Sequence, residues 1–597
     1  MNDNLHTMRH TAAHVLAAAV ERLYPGAKFG VGPVVENGFY YDILFPEPIS
    51  DEGLAVIEKE MKKIISEKHE MVREEISLDK AVSFFKERGQ DFKVELLKDL
   101  KEKGTTKIQT DEAQDLDISK PDVATLYHTG SFTDLCRGPH IENVKDIGVF
   151  KLWKIAGAYW RGNEKNPQMQ RVYGLAFETQ KELDEYLIML EEAKKRDHRK
   201  LGTDLELFTI IDEVGPGLPL FYPKGAVLRR LIENFIMEQQ EKRGYVPIWI
   251  PHITKGKLYE ISGHLQKYDA MYPPMDLPAE AQYYLKPMNC PHFMMLYKST
   301  AHSYRDMPMR WTCTTSCYRY EKSGELSGLT RVRSLTQDDC HVFLKSDQIE
   351  QEINLMLDMI DETYRAFGFK DFWVRVSTSD PNNREKYIGD PQIWEESEAA
   401  LARLVEGRGW KKEVGVGEAA FYGPKLDFMV RDVIGRQWQL STIQLDMNLP
   451  ERFELEYADS DGKVKRPVVI HRAILGSTER FMGILIEHYG GAFPMWLAPV
   501  QIRLATVSED FVAFAQKLKT ELFDAGVRVE SDFSDVKVGK KIRNAAMMKI
   551  PWTIVIGEKE TQGSAFDVNV FGQEEHLTIA QDQLIKEVQK AGEAKEA

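Results

Sequence analysis

Cysteine is scarce in this chain, with five residues scattered over 597. An odd number without regular spacing argues against a disulfide framework and fits a reducing compartment. Long apolar runs are also missing, because no stretch approaches the roughly 18 residues that a membrane-spanning helix needs. Residues 1–9 are polar and lack the apolar core of a secretory signal peptide. We therefore expect a cytoplasmic protein without a membrane segment.

The chain also contains no internal repeat and no low-complexity segment. A length of 597 residues predicts several domains, about three to five by the usual domain size. The formal net charge is −15, which does not by itself indicate a nucleic-acid-binding protein. A local basic surface can still bind nucleic acid on an acidic protein, so the overall charge excludes little.

Four segments with different patterns divide the chain. Residues 1–178 have a mixed α/β pattern. Residues 179–203 are predicted to be a linker, since leucine and alanine recur at helical spacing within Thr179–Arg199. Residues 204–498 form a third segment. Residues 499–597 alternate predicted strands and helices, which indicates an α/β domain.

The most informative stretch lies between Arg319 and His341. Trp311–Tyr320 and Val332–Phe343 read as two strands joined by a long glycine-containing turn. Side chains two residues apart share one face of a strand, so Gln337, Asp339 and His341 are expected to lie together. A solvated hairpin face would explain these polar residues. A bound polar ligand with phosphate and amine groups would also explain them, because a packed core does not accept so many unpartnered charges.

Histidine and cysteine occur in two further patterns. His10 and His14 are one helical turn apart, and Cys136 and His140 have the same separation, so four nitrogen and sulfur groups suggest a zinc site. Two histidines on a helix face are nevertheless more often surface or core residues. Cys290, His341 and His471 lie in three separate segments. Their spacing alone does not predict a metal site.

Longer motifs give a resemblance to a known family. Arg319-Tyr-Glu, the glycine-rich loop, Arg331-Val-Arg and Thr336-Gln-Asp-Asp-Cys-His resemble motif 2 of class II aminoacyl-tRNA synthetases. From Arg9-His10-Thr to the last hundred residues, the chain is similar to the bacterial-type threonyl-tRNA synthetases. The resemblance implies ATP-dependent activation of L-threonine to threonyl-adenylate, transfer to tRNA(Thr), and hydrolytic editing of mischarged Ser-tRNA(Thr).

The resemblance also implies an α+β multidomain fold. It places an α/β editing domain at 1–178, the linker helix at 179–203 and an α/β anticodon-binding domain at 499–597. Residues 204–498 would be the class II catalytic domain, an antiparallel sheet flanked by helices. The predicted helix Gly225–Arg243 and the strand Tyr245–Pro251 resemble motif 1, which implies a homodimer. Bacterial relatives commonly have a small extra domain before the editing domain, and we expect this chain to lack it.

A zinc ion at the bottom of the amino-acid pocket is the next implication. By resemblance, Cys290, His341 and His471 bind Zn²⁺ and leave a coordination position open for substrate. Zinc that binds the amino and hydroxyl groups of threonine would reject valine, which has no hydroxyl. Serine differs by one methyl group, worth about 1–3 kcal/mol, so a second, editing site is needed. The residues expected to contact threonine are Met288, Gln337, Asp339, Tyr422 and Gln444.

The ATP-binding residues are implied in the same way. Arg319 would contact the α-phosphate, Arg331 the γ-phosphate, and Glu321 the adenine amino group. Arg480 would lie over the adenine ring. Lys425 and Gln439 would face the substrate, and Mg²⁺ would bridge the phosphates. The residues expected to act in catalysis are Arg319, Arg331, Arg480, Lys425 and His264, the last near the tRNA 3′ end.

The editing residues carried over from the family are His10, His14, Asp134, Cys136 and His140. His10 and Asp134 are candidates for positioning or activating water, while Cys136 and His140 would shape the pocket. The family pattern does not require a metal there, so metal occupancy stays open.

Two substitutions depart from the family pattern. Leu335 stands where a phenylalanine usually stacks on adenine, so ATP affinity is expected to be lower. Asn569 stands where an arginine usually contacts the anticodon, so anticodon recognition is expected to be altered. Basic residues nearby still offer phosphate contacts, namely Lys537, Lys540, Lys541 and Arg543.

Two other functions compete with this interpretation. A non-catalytic, RNA-binding paralogue that regulates translation would be expected to lose Arg319, Arg480 or the zinc ligands, and all are present. A sister class II enzyme such as a prolyl-tRNA synthetase would have no use for the zinc ligands, because proline has no hydroxyl group.

Overall fold

The computed structural model describes residues 3–103, 122–163, 165–277, 281–432 and 435–593. The chain divides into two compact units, Met1–Glu191 and Glu192–Ala597. Within these described ranges, no helix is both long and apolar enough to cross a membrane.

The first unit contains two sheets and the helices that cover them. Its elements in chain order are α1 (Asp3–Leu23), β1 (Lys28–Phe29), β2 (Val34–Val35), β3 (Gly38–Leu44), α2 (Asp51–Ser66), β4 (Met71–Ser77), α3 (Leu78–Glu87), α4 (Asp91–Lys103), β5 (Val123–Thr129), β6 (Phe132–Leu135), β7 (Val149–Tyr159), β8 (Gln168–Phe177) and α5 (Gln180–Arg196), which runs across the division.

The larger sheet of this unit has the order β1-β3-β8-β7, with β2 paired to β3, and the smaller has the order β4-β5-β6. Every pairing in both sheets is antiparallel. Helix α1 is apolar along most of its length, and Ala12, Val15, Leu16 and Ala19 are fully buried. This burial holds α1 against the rest of the unit, with His10 and His14 on its first half. Strand β6 ends at Leu135, immediately before Cys136.

The second unit begins with the helices and strands of the larger domain. Its elements in chain order are α6 (His198–Asp204), β9 (Phe208–Thr209), β10 (Leu220–Phe221), α7 (Pro223–Glu241), β11 (Val246–Pro247), β12 (Ile253–Lys255), α8 (Lys257–Ser262), α9 (His264–Lys267), β13 (Tyr283–Leu285), α10 (Cys290–Lys298), β14 (Met309–Tyr318), β15 (Ser334–Leu344), α11 (Ile349–Ala366), β16 (Phe372–Thr378), α12 (Pro391–Gly407), β17 (Lys412–Val416), β18 (Lys425–Arg431), β19 (Gln437–Asp446), α13 (Leu449–Arg452), β20 (Tyr457–Ala458), β21 (Val464–Lys465), β22 (Val468–Ala473) and α14 (Thr478–His488).

An eight-stranded sheet organises this domain, in the order β11-β14-β15-β22-β19-β18-β16-β17. All neighbours are antiparallel except the outermost pairs, β11 with β14 and β16 with β17. Helices α7, α11, α12 and α14 contribute to the large apolar core on one face. The expected antiparallel sheet with flanking helices is confirmed.

The register of the central strands brings distant residues side by side. His341 on β15 pairs with His471 on β22, and Gln444 on β19 pairs with the same histidine. The alternate residues Cys340 and Arg472 face the other side of the sheet. There Arg472 contacts the Asp338 carboxylate at 3.2 Å, so the two buried charges on that face neutralise each other.

Two local predictions from the sequence were wrong in extent. The predicted helix Thr179–Arg199 is interrupted at Asp197, whose carboxylate accepts a hydrogen bond from the Arg199 amide and starts α6. The predicted strand Tyr245–Pro251 shrinks to Val246–Pro247. Pro247 and Pro251 have no amide proton, which removes two donors that a longer strand ladder would need.

The last hundred residues form an α/β domain, as expected. Its elements are β23 (Ile502–Thr506), α15 (Val512–Asp524), β24 (Val529–Asp532), α16 (Val538–Met547), β25 (Trp552–Ile556), α17 (Glu558–Gln562), β26 (Ala565–Val570), β27 (Leu577–Ala580) and α18 (Leu584–Glu593). The sheet order is β24-β23-β25-β26-β27. The strands β24, β23 and β25 pair in parallel, and the pairings of β25 with β26 and of β26 with β27 are antiparallel.

Candidate functional site

One sulfur and two imidazoles meet inside the larger unit. Cys290 begins α10, His341 lies on β15 and His471 lies on β22. One ligand atom from each residue lies within 4.8 Å of the others, and all three side chains are buried. The fold therefore joins three residues whose separation in sequence gave no indication of contact.

The hydrogen bonds around these residues leave nitrogen atoms free to bind a cation. His471 Nε2 pairs with Asp446 Oδ2 at 2.8 Å. Neither ring nitrogen of His341, nor Nδ1 of His471, has a satisfactory hydrogen bond to the described residues. Buried polar atoms without partners are costly, and a bound metal would satisfy them. A thiolate and two imidazoles are ligands that Zn²⁺ prefers.

The two histidines have opposite pKa shifts. Burial lowers the pKa of His341 well below its usual value. Burial also acts to lower the pKa of His471, but the nearby Cys290 sulfur and the Asp446 carboxylate outweigh it and raise that pKa to about 10. Near pH 7, His341 is therefore neutral, and the positive charge is favoured on His471 beside the Cys290 sulfur and the Asp446 carboxylate.

Polar residues surround this cluster on the side of the neighbouring cleft. Asp339 accepts a hydrogen bond from Asn289 Nδ2 at 2.9 Å, and its Oδ1 lies 3.6 Å from His341 Nδ1. The Tyr422 ring centre lies 5.6 Å from that of His471. Gln337 and Gln444 line the cleft. Their positions suit recognition of a small ligand that carries both an amine and a carboxylate.

His264 lies beside the same pocket and is fully buried. Its Nδ1 pairs with Ser262 Oγ at 2.7 Å, and its Nε2 lies 3.1 Å from Met288 Sδ. Burial lowers the pKa of His264 to about 4, so the ring is neutral near pH 7. The structure thus brings together His264 and Met288, two residues that the sequence placed at the site separately.

A polar cleft adjoins the pocket and contains every predicted ATP-binding residue. Its lining comprises Arg319, Glu321, Thr330, Arg331, Val332, Leu335, Gln337, Lys425, Gln439, Leu440, Thr442, Gln444, Ala473, Gly476, Ser477 and Arg480. Three arginines and a lysine in one cleft indicate an anionic ligand. The mutual repulsion is evident at Arg480, where burial first, and then Arg319 and Arg331, lower its pKa.

Defined contacts hold these arginines in the cleft. Arg331 pairs with Glu321 at 2.8 Å and with Glu325 at 2.6 Å. Arg480 Nε donates to Thr330 O at 3.0 Å, and its Nη1 donates to Gln439 O at 3.3 Å. Acidic side chains and backbone carbonyls therefore orient the guanidinium groups of Arg331 and Arg480.

Asp427 is a site residue that sequence reasoning missed. This buried carboxylate accepts hydrogen bonds from Lys425 Nζ at 2.8 Å, Gln439 Nε2 at 2.8 Å, Thr442 Oγ1 at 3.0 Å and Ser377 Oγ at 2.7 Å. Its sequence signal was its place two residues after Lys425 on one strand. Asp446, two residues after Gln444, was missed in the same way.

A second cluster lies in the first unit. His10, His14, Cys136 and His140 bring their ligand atoms within 4.8 Å of one another. Cys136 Sγ lies 3.2 Å from His10 Nε2 and 3.3 Å from His140 Nε2. His10 Nδ1 donates to Pro139 O, and His140 Nδ1 contacts Thr11 Oγ1, each at 3.2 Å. Both Nε2 atoms are thereby directed toward the sulfur.

Burial makes the groups of this cluster uncharged. It lowers the pKa of His10 to about 4 and lowers those of His14 and His140 further. Burial also raises the pKa of Cys136 to about 12. The three imidazoles are therefore neutral near pH 7, and the Cys136 side chain is a thiol.

Asp134 connects the cluster to a lysine and a tyrosine that the sequence did not indicate. Its carboxylate lies 3.8 Å from His14 Nδ1 and pairs with Lys93 Nζ at 2.6 Å. Tyr41 donates a hydrogen bond to the same carboxylate, and Lys93 donates to Tyr41 OH at 3.0 Å. All three side chains are buried. Lys93 and Tyr41 lie far from Asp134 in sequence, so only the fold could reveal them.

The remaining predictions concern the segment Tyr245–Pro251 and the tRNA contacts of the last domain. Trp249 is 77% exposed and Val246 is 56% exposed, so the segment after α7 presents apolar side chains to solvent. Asn569 Nδ2 donates to Thr553 O at 3.4 Å. The predicted phosphate contact at Lys541 is wrong, because its ammonium group is buried and donates to Thr506 O at 2.8 Å.

Comparison with protein families assigns three parts of the chain. Residues 275–489 match the tRNA synthetase class II core domain (G, H, P, S and T). Residues 501–591 match an anticodon binding domain, and residues 124–173 match the threonyl and alanyl tRNA synthetase second additional domain.

Individual proteins give closer similarity over nearly the whole chain. The sequence is 46% identical over 587 residues to the threonine–tRNA ligase of Geobacillus sp. (strain WCH70), covering 98% of this chain and 88% of that protein. It is 44% identical over 593 residues to the threonine–tRNA ligase of Chlorobium phaeobacteroides (strain BS1), covering 98% and 87%.

Solved structures give a consistent result. The RNA-binding domain of threonyl-tRNA synthetase from Cryptosporidium parvum Iowa II aligns with a TM-score of 0.63 and 36% identity, covering 66% of this chain and 98% of that one. Prolyl-tRNA synthetase from Cryptosporidium parvum, complexed with halofuginone and AMPPNP, aligns with a TM-score of 0.53 and 15% identity, covering 67% and 77%. The second likeness is of fold alone.

Proposed function

The chain belongs to the threonine–tRNA ligases, and from that premise we propose how its two buried clusters divide the work of charging tRNA accurately. The protein is a class II aminoacyl-tRNA ligase that joins threonine to tRNA. We assign selection and activation of the amino acid to the cluster and cleft in the second unit. Hydrolysis of the wrong ester is assigned to the cluster in the first unit.

Cys290, His341 and His471 are proposed to hold Zn²⁺. When bound, zinc with an open coordination position would bind the amino and hydroxyl groups of threonine and would give valine no second contact. The observation that carries this proposal is the meeting of a sulfur and two imidazoles within 4.8 Å, with ring nitrogens left unpaired. Asp446 supports it by fixing His471 through Nε2, which leaves Nδ1 for the metal.

The residues around this cluster would bind the rest of threonine. Asp339 is buried, carries a carboxylate near His341 and suits the substrate amine. Gln337 and Gln444 line the cleft in which the substrate carboxylate would meet ATP. Tyr422 and Met288 would close the pocket around the side chain, and His264 would lie beside the tRNA 3′ end.

Activation requires the threonine carboxylate to attack the α-phosphate of ATP with loss of pyrophosphate. Catalysis of such a transfer depends mainly on positioning and charge neutralisation. We assign Arg319 to the α-phosphate, Arg331 to the γ-phosphate, and Arg480 to the face of the adenine ring. Lys425 and Gln439, held by Asp427, would face the reacting groups. Mg²⁺ would bridge the phosphates.

Editing is proposed for the cluster in the first unit. Serine retains the hydroxyl that zinc recognises, so a separate hydrolytic site has to remove it from tRNA. His10 is a neutral imidazole whose Nε2 faces the cluster, which suits it to position the attacking water. Asp134 would orient groups through His14 and Lys93, and Cys136 and His140 would shape the pocket.

Several broader features are part of the same proposal. The apolar segment around Trp249 fits a homodimer interface next to α7. We place the enzyme in the cytoplasm, where tRNA is charged. Anticodon recognition falls to residues 501–591, with an asparagine at position 569.

The experiment that tests the metal assignment compares two buried cysteines. We expect the purified protein to contain one zinc per chain and to catalyse threonine-dependent exchange between ATP and pyrophosphate. The Cys290→Ala variant should lose the bound zinc, and it should also lose threonine-dependent exchange. Cys313→Ala, a change in the same apolar cluster, should keep both. Retention of zinc and of valine rejection by C290A would refute the assignment.

A further inference from the structure

A third group of possible metal ligands lies behind the ATP cleft. Asp197, His198 and Glu487 bring one ligand atom each within 4.8 Å of one another. Each is nevertheless satisfied within the protein. Asp197 pairs with Arg199, and Glu487 pairs with Arg436. Both ring nitrogens of His198 are hydrogen-bonded, so the group is not suited to bind a cation.

The hydrogen bonds of His198 fix its tautomer. Glu487 Oε1 accepts from His198 Nδ1 at 2.7 Å and from the His198 amide at 3.1 Å. With Nδ1 protonated, Nε2 carries the lone pair of a neutral imidazole. Nε2 accepts a hydrogen bond from the backbone amide of Leu329 at 3.0 Å. All three residues are buried, with His198 4%, Leu329 0% and Glu487 2% exposed.

Leu329 belongs to the turn that borders the ATP cleft. Within residues 327–331, the amides of Thr330 and Arg331 donate to Ser327 O at 2.9 and 3.3 Å. Thr330 O accepts from Arg480 Nε at 3.0 Å. Arg331 lines the cleft directly. The 327–331 turn therefore carries or contacts two of the three arginines assigned to ATP.

Close packing leaves the turn little room to move while His198 is in place. A Cβ atom at Gly328 would lie 2.2 Å from His198 Nε2, so a side chain there would displace the anchor. From the other side, a Cβ at Gly483 of α14 would lie 3.3 Å from both Leu329 Cβ and Thr330 Cγ2. Two glycines thus allow the turn to approach both the imidazole and the helix that carries Arg480.

We propose that His198 is a positioning residue for ATP, which holds the 327–331 turn through the hydrogen bond from the Leu329 amide to Nε2. The imidazole does not touch the nucleotide. It keeps Arg331 in the cleft and Thr330 O against Arg480, so that the cleft is preorganised for the triphosphate. Burial lowers the pKa of His198 to about 4, which keeps Nε2 available as an acceptor near pH 7. This inference rests on the proposed ATP roles of Arg331 and Arg480.

Two substitutions of His198 separate its two hydrogen bonds. An asparagine amide can occupy the position of Nδ1 and keep the contact with Glu487, but it cannot reach Leu329. A glutamine amide reaches the position of Nε2 and can accept from Leu329. Leaving the buried Leu329 amide without an acceptor in H198N should raise KM for ATP about tenfold in the exchange assay. KM for threonine should stay the same, and H198Q should restore KM for ATP.

A second readout does not depend on activity. Hydrogen–deuterium exchange over residues 326–333 should be faster in H198N than in the wild type, and H198Q should regain protection. Phe208→Leu is the matched control, because Phe208 stacks on the His198 ring, with the ring centres 6.1 Å apart, and its side chain has no group that could hydrogen-bond to the turn. F208L should lower the unfolding temperature and leave KM for ATP unchanged. An equal rise in KM for ATP in F208L would show that general destabilisation, and not the anchor, sets it.

The outcomes distinguish this inference from the function on which it rests. If Arg331→Ala fails to impair ATP use, the proposed role of Arg331 is wrong. If R331A is impaired while H198N keeps wild-type KM and protection, only the anchor is wrong. Equal defects in H198N and H198Q would also overturn the anchor. Should H198N not fold, Gly328→Ala tests the same contact from the turn, and normal KM for ATP in G328A would contradict the proposal.

Discussion

At the scale of single residues, neighbours of the predicted ligands decide what those ligands can do. Asp446 Oδ1 accepts hydrogen bonds from the amides of Asn448 and Leu449 at 2.8 and 2.9 Å, while Oδ2 pairs with His471. A carboxylate fixed in this way sets the ring orientation and the tautomer of the histidine. In a similar way, Asp427 accepts hydrogen bonds from Lys425 and Gln439 and fixes the positions of both side chains.

The editing assignment gives a prediction at this scale. His10→Ala should leave threonine-dependent exchange intact and allow Ser-tRNA(Thr) to accumulate, because it removes the imidazole proposed to position the attacking water. The measurement is the steady-state level of seryl-tRNA formed with serine as the amino acid. His128→Ala provides the control, since His128 is in the same unit and bonds Thr133 and Glu74 instead. If H10A formed no seryl-tRNA, the proposed editing role of His10 would be wrong.

At the scale of elements, the start of α14 couples helix formation to the polar cleft that we propose binds ATP. Ser477 caps this helix, and its hydroxyl accepts a hydrogen bond from the Arg480 amide at 3.1 Å. The cap therefore sets the position of Arg480 as well as satisfying a backbone donor. The same element carries Gly483 and Glu487, which contact the 327–331 turn and His198.

The cap gives a prediction for stability and catalysis together. Ser477→Ala should destabilise the protein by about 1 kcal/mol, the usual cost of losing an N-cap. It should also raise KM for ATP, because the first turn that carries Arg480 loosens. Ser477→Asn keeps a capping oxygen and should lie closer to the wild type in both respects. Thermal unfolding and exchange kinetics on the three proteins check this, and an S477A protein as stable as the wild type would contradict it.

At the scale of the whole molecule, buried histidines make stability depend on pH. Burial lowers the pKa values of His10, His198, His264 and His292 to about 4 each. Between pH 6.5 and pH 4 the unfolded chain therefore binds more protons than the folded one, so stability falls as pH falls. Asp338 acts in the opposite direction, because burial raises its pKa to about 6.

Thermal unfolding at pH 7, 6 and 5 should follow this sign. The unfolding temperature should fall as the pH falls. Each buried histidine should lower the free energy of unfolding by up to about 1.4 kcal/mol per pH unit. His292→Leu should flatten the dependence, since both ring nitrogens of His292 lack partners among the described residues. A slope in H292L equal to that of the wild type would contradict the linkage.

Oligomeric state gives the second prediction for the whole molecule. If the segment around Trp249 forms the homodimer interface, the protein should elute with twice the chain mass in light-scattering measurements. Trp249→Glu should shift it toward the monomer, because it places a charge in an apolar interface. Phe523→Glu is the control, since Phe523 is 71% exposed on α15, outside this segment. A W249E protein that remains dimeric would place the interface elsewhere.

The sequence alone determined what depends on local pattern. The alternation of a strand placed Gln337, Asp339 and His341 on one face, and the structure keeps them on β15. The alternation of strands and helices after residue 499 and the central strand–turn–strand were also predictable, because each element depends on residues close in sequence. Motif resemblance extended this to the family, and it predicted the ATP-binding residues and metal ligands that we propose.

The tertiary structure alone decided which distant residues meet. His341 and His471 come together through strand register, and Cys290 joins them from the start of α10. Lys93 reaches Asp134 through packing of separate elements. His198 meets the amide of Leu329 although 131 residues separate them. No local rule encodes such contacts, because they form only when burial of the apolar faces brings whole elements together.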